Sequence, residues 1–123
     1  MIRVLTVLGA AAAVGVALTA RGSAQENSKK GYILMQVDVL NPQQYGEYMK
    51  VTPGLLEQFG GRFVVRGGRT ATLEGPDARG RVVVVEFPTF ERAQQFYNSA
   101  EYQAARTLRA SAAAAQMILV EGV

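Results

Sequence analysis

Arg81 to Phe87 reads Arg-Val-Val-Val-Val-Glu-Phe, and these four consecutive valines constrain the fold more than any other feature of the chain. β-branched side chains favour extended backbone, so the segment is a strand. Successive strand residues face opposite ways. Val83, Val85 and Phe87 therefore share one face, and Val82, Val84 and Glu86 share the other. A strand with one wet face would alternate apolar with polar residues. Here both faces are apolar, so both need cover.

Flanking patterns supply cover for one face only. Tyr32 to Leu40 alternates, with Ile33, Met35, Val37 and Val39 on one side and Tyr32, Leu34, Gln36 and Asp38 on the other, a first strand. Asn41-Pro42 marks a helix start. That helix carries Tyr45, Tyr48 and Met49, and is expected to kink or restart at Thr52-Pro53 before ending at Gly60-Gly61. Arg62 to Arg66 is a second strand. Gly67-Gly68 reads as a bulge or bend within it, and Thr70 to Glu74 as its continuation. Gly75 to Gly80 is a turn that leads into the valine strand.

Pro88 stops that strand and Thr89 caps a helix bearing Phe90, Ala93, Phe96 and Tyr97. Asn98-Ser99 breaks and recaps it before a helix from Glu101 to Ala114. Gln116 to Glu121 is the last strand. The order β-α-β-β-α-β is the ferredoxin-like arrangement, an α+β antiparallel sheet with helices on one face. No element is left over for the second face. A second copy would cover it sheet against sheet, which predicts a homodimer with a shared barrel. Alternatively, the valine strand stays half exposed in a monomer.

The N-terminus is organised differently. Arg3 is followed by an uncharged run from Val4 to Ala20, then by Arg21 and the small residues Gly22-Ser23-Ala24. This is the pattern of a cleavable secretory signal over residues 1–24, cut before Gln25 and followed by a flexible lead-in over 25–30. The competing reading is a retained inner-membrane anchor over residues 4–20. As a helix this run would span about 26 Å, against a hydrocarbon core of about 30 Å. Export predicts a periplasmic or secreted protein. Cutting 24 residues from 123 leaves 99, enough for one domain.

Composition removes several function classes. The chain has no cysteine and no histidine, so it lacks disulfides, thiolate nucleophiles and the commonest metal ligand and general base. Its net charge of +3 includes Arg3 and Arg21, and the remaining 11 basic and 10 acidic residues form no dense basic face. Nucleic-acid binding is not expected. Asp38, Glu47 and Glu57 have no convergent spacing, so no metal is expected, and no nucleotide-binding loop occurs. No cofactor is called for.

Residues 31–123 resemble the DUF1330 family of the dimeric α+β barrel superfamily. The resemblance rests on Gly31-Tyr32, Gly60-Gly61-Arg62-Phe63, Val65-Arg66-Gly67-Gly68 and Leu73-Glu74-Gly75-Pro76. It continues through Val83-Val84-Val85-Glu86-Phe87-Pro88, Tyr97 to Gln103 with Arg106, and Val120-Glu121-Gly122-Val123. Family members commonly carry proline where this chain has Ala100, and typically have no leader. The resemblance implies the fold and the dimer, and names no reaction.

Strand alternation sets Arg66 and Glu86 opposite Val85 and Phe87, so both are expected inside the barrel, joined by Gln36 and Asp38 from the first strand. An apolar cavity with a few convergent polar groups is a ligand site. The competing reading is a buried structural or interfacial ion pair. Tyr48, Tyr97, Tyr102 and Arg106 complete the candidate binding residues, with Tyr102 and Arg106 spaced to touch on one helix face. Their alternative role is amphipathic packing. Three functions stay open. One is an exported dimer binding a small, partly apolar or carboxylate-bearing ligand. Another, implied by superfamily relatives that isomerise or oxygenate small ring compounds, is a cofactor-independent enzyme. There Glu86 would move a proton and Arg66 would stabilise the anion. The last is a structural dimer with no ligand.

Overall fold

The computed structural model describes residues 28–123. The signal or anchor expected over 1–24, and the start of the lead-in, lie outside the described residues. Four strands and three helices follow in order: β1 (Gly31–Val39), α1 (Pro42–Gln58), β2 (Arg62–Arg66), β3 (Arg81–Phe87), α2 (Phe90–Asn98), α3 (Ala100–Ala110) and β4 (Ala113–Glu121). The sheet order is β2-β3-β1-β4 and every pairing is antiparallel. This is the ferredoxin-like α+β arrangement, with the valine strand β3 between β2 and β1.

Helix ends are fixed by the residues that the sequence marks. The Asn41 side chain accepts from Gln44 N at 3.1 Å, with Pro42 at the first helical position. Thr89 Oγ1 accepts from Arg92 N at 3.0 Å. Ser99 serves two helices: its hydroxyl donates to Phe96 O at 2.7 Å and accepts from Tyr102 N at 3.1 Å.

Three local expectations are corrected. Pro53 does not break α1, which runs unbroken through it, and the Thr52 hydroxyl donates back to the Tyr48 carbonyl at 2.6 Å. Thr70 to Glu74 forms no strand, because β2 ends at Arg66, where Gly67 turns at φ 67°. The alanines at 113–115 belong to β4, where they pair with Val37 to Val39, so α3 stops at Ala110. Tertiary pairing outweighs their helix propensity here.

One face of the sheet is sealed. Ile33, Met35, Val37, Val83, Val85 and Phe87 are buried beneath the helices, with Tyr45, Tyr48, Leu56, Phe96 and Tyr102 packed over them. The other face is open. Val82 and Val84 are only half-buried, and Leu34, Val65, Ile118 and Val120 are 38–50% exposed.

A sharp test of the backbone lies where β3 begins. Gly80 has φ 72°, and a Cβ there would sit 2.1 Å from Val37 O. Left-handed backbone alone costs an L-residue about 1–2 kcal/mol. Gly80→Ala is expected to lower unfolding free energy by more than about 2 kcal/mol in a urea titration. Gly68→Ala, with open space around it, should stay within about 0.5 kcal/mol of wild type.

Candidate functional site

The register of β2 decides which groups meet. Arg62 pairs with Glu86 and Phe63 with Val85, but Val65 then pairs with Val84 and Arg66 with Val83. Val64 is a bulge. An extra residue in one strand reverses the facing of everything beyond it. Arg66 therefore joins Phe63 on the helix-covered face, with its guanidinium 4.1 Å from the Phe63 ring centroid. Glu86 lies on the open face. Simple alternation placed Arg66 and Glu86 together, and the bulge separates them.

Glu86 has other partners. Arg62 Nε donates to its Oε1 at 2.9 Å and the Tyr32 hydroxyl to its Oε2 at 3.0 Å. The hydrogen bond from Arg62 is the main cause that holds the Glu86 carboxyl below its ordinary range. The same carboxylate, by accepting from Tyr32, raises that phenol's pKa. Gln36 and Asp38 also lie on the open face. Gln36 Oε1 accepts from Arg79 N at 2.9 Å, and Asp38 is exposed.

A second set of groups converges between sheet and helices. A cavity of about 40 Å³ is walled by Ile33, Met35, Leu56, Val83, Val85 and Phe96. Tyr45, Tyr48, Tyr102, Thr52, Arg66 and Arg81 also border it, mainly through their apolar parts, and Met49, Phe63 and Met117 complete it. Among the described residues, no carboxylate lines it. Arg66 is exposed and Arg81 half-buried, so the two cations mark the mouth. Arg81 lies 5.8 Å from the Tyr45 ring centroid, and its guanidinium packs against Gly67, where a Cβ would be 2.6 Å away.

The inner end is phenolic. The Tyr48 and Tyr102 hydroxyls lie 2.8 Å apart and buried, joining α1 to α3. Burial is the largest cause that raises the Tyr48 pKa far above its ordinary value of 10.0. The charge and hydrogen bond of Tyr102 add to it, and Arg109 opposes it. Burial likewise raises Tyr45, against the pull of Arg81.

Of the expected binding residues, the cavity thus brings together Arg66, Tyr48 and Tyr102. Tyr97 is half-buried, its ring 5.5 Å from that of Tyr102, and lines a separate groove with Met117 and Leu119. Arg106 is exposed while Tyr102 is buried, so their spacing does not produce a contact pair. The buried arginine of α3 is Arg109, at 7% exposure. The spacing of Tyr102, Ala105 and Arg109 along one helical stripe carries that signal. Arg81, at the start of β3, was also missed.

Comparison with known proteins places the chain. The family described as a domain of unknown function, DUF1330, matches residues 30–123, and the chain belongs to it. No curated protein matches the sequence. Among solved structures it is similar to RPA0582, a protein of unknown function from Rhodopseudomonas palustris. The two are 20% identical with a TM-score of 0.63, over 86% of this chain and 92% of that one. It is also similar to SnoaB, a cofactor-independent oxygenase from Streptomyces nogalater, at 13% identity and a TM-score of 0.54. That match covers 76% of this chain and 92% of SnoaB. At these identities the likeness is one of fold.

The raised tyrosine pKa values carry a consequence for stability. Above pH 10 the unfolded chain loses phenolic protons that the folded chain keeps, so stability falls as pH rises. The slope for one such tyrosine reaches about 1.4 kcal/mol per pH unit. Thermal melts are expected to drop steeply above about pH 10. Tyr48→Phe should flatten that drop while lowering stability at pH 7 through loss of the Tyr102 partner.

Proposed function

We propose that this chain is an exported, homodimeric binding module for a small, partly apolar acid held between sheet and helices. The observation that carries the reading is the cavity's chemistry: apolar walls, two arginines at the mouth, phenols within and no carboxylate among the described residues. Rim arginines steer and clamp anions, while apolar walls take a short hydrocarbon body. At about 40 Å³ the space is well under the roughly 150 Å³ of a benzene-binding cavity. A ligand of a few heavy atoms fits directly. A ring would require Met35, Met49 and Met117 to repack, which methionine does readily.

Dimerisation is supported by the open sheet face, where Leu34, Val65, Val82, Val84, Ile118 and Val120 form an apolar surface. Export is supported by the leader sequence. The enzymatic alternative pairing Glu86 with Arg66 is not carried forward, because the bulge places the two on opposite faces.

Native mass spectrometry of protein recovered from the periplasm tests the whole reading. The expected species is a dimer of chains beginning at Gln25, with a small acid retained. Arg81→Met should weaken that acid's binding by about tenfold, the loss of one charge-assisted contact. Val84→Glu should give monomers. A wild-type monomer carrying no ligand would overturn the proposal, and an empty dimer would leave only a structural role.

A further inference from the structure

Arg109 is only 7% exposed, yet it forms no salt bridge with an acid among the described residues. The ion pairs among the described residues are Lys50–Glu47 and Arg62–Glu86, both at the surface side of their elements. Arg109 Nε is buried without a hydrogen-bond partner among those residues. Its Nη2 donates to the Met117 thioether at 3.6 Å, a weak acceptor. Its guanidinium carbon lies 5.7 Å from the Tyr48 ring centroid. A buried charge without a counter-charge is costly and normally acquires one.

The tyrosines beside it have a proton to spare. Two hydroxyls own two protons, and the 2.8 Å bond between them uses one. The other has, at best, Met117 Sδ at 3.8 Å from the Tyr102 oxygen. Tyr48, Tyr102 and Met117 all line the cavity, and Arg109, which does not line it, contacts Met117 and lies close to the Tyr48 ring. An unfilled donor and an unmatched positive charge thus lie at the same end of one cavity.

We propose that the acid group of the ligand binds at this inner end, accepting the free tyrosine hydroxyl proton, with Arg109 as its buried counter-charge. Arg109 is then a positioning residue, acting through Tyr48 and Tyr102 without lining the cavity. Arg66 and Arg81 guide the anion in at the mouth, and the apolar walls hold its hydrocarbon part. The ligand class narrows to compounds with a compact anionic oxygen, a carboxylate or enolate, at the leading end. This inference rests on the binding role proposed above.

The test compares propionate with the neutral, near-isosteric propionamide by calorimetry on wild type, Arg109→Met, Arg109→Lys and Arg81→Met. Propionate is expected to bind wild type at least tenfold more tightly than the amide. Arg109→Met should bring the two to parity with an equal or higher melting temperature, since it removes an unpaired buried charge. Arg109→Lys should restore part of the preference, which a purely packing role would not. Preference retained in Arg109→Met but lost in Arg81→Met would place the acid at the mouth and overturn this inference, leaving the binding role intact. Binding of neither compound to wild type would overturn both.

Discussion

A single extra residue in β2 determines which charges this molecule can bring together. Up to Phe63 the strand keeps step with β3, and beyond Val64 it is displaced by one place. The displacement turns Arg66 inward over Phe63 and turns Val65 outward beside Val84. It leaves Arg62, before the bulge, as the partner of Glu86. The cavity consequently holds cations and phenols, and the carboxylate stays on the far side of the sheet. Without the bulge, Arg66 would pair with Val82 on the open face and the cavity mouth would lose one of its two positive charges.

The Tyr48–Tyr102 bond performs the complementary task at the other end. It links α1 to α3, seals the core beneath Phe96 and Leu56, and keeps two hydroxyls away from water. Aromatic contacts continue from there, Phe96 lying 4.5 Å from Tyr102 and 5.3 Å from Phe87 by ring centroids. The same packing that stabilises the domain therefore creates the polar end of the cavity. Structure and candidate site share these residues, so substitutions there are expected to move stability and the proposed binding together, whereas Arg81 and Arg66 should separate them.

Much of the fold is legible in the sequence because its signals are local. The Asn41-Pro42, Thr89 and Ser99 caps, the Gly60-Gly61 stop and the two-sided valine strand each act over a few residues. The candidate site is only partly legible. Alternation correctly sorts Ile33, Met35, Val37, Val83, Val85 and Phe87 to the core, but a bulge between valines leaves no mark, so Arg66 is assigned the wrong face. Gly67-Gly68 marks a bend, which the chain makes at Gly67, but the bend ends the strand and the bulge lies earlier, at Val64. Arg109 was passed over because a charged residue on a helix is read as solvated until its stripe, shared with Tyr102 and Ala105, is seen to be buried.

The central claim is that Glu86 answers to Arg62 and not to Arg66, leaving the cavity without an acid. Titration of the Glu86 side-chain carboxyl by carbon-13 NMR measures this directly. The account predicts a pKa below the ordinary glutamate range in wild type, a rise towards it in Arg62→Met, and no change in Arg66→Met. A Glu86 pKa that rises in Arg66→Met and stays put in Arg62→Met would contradict it.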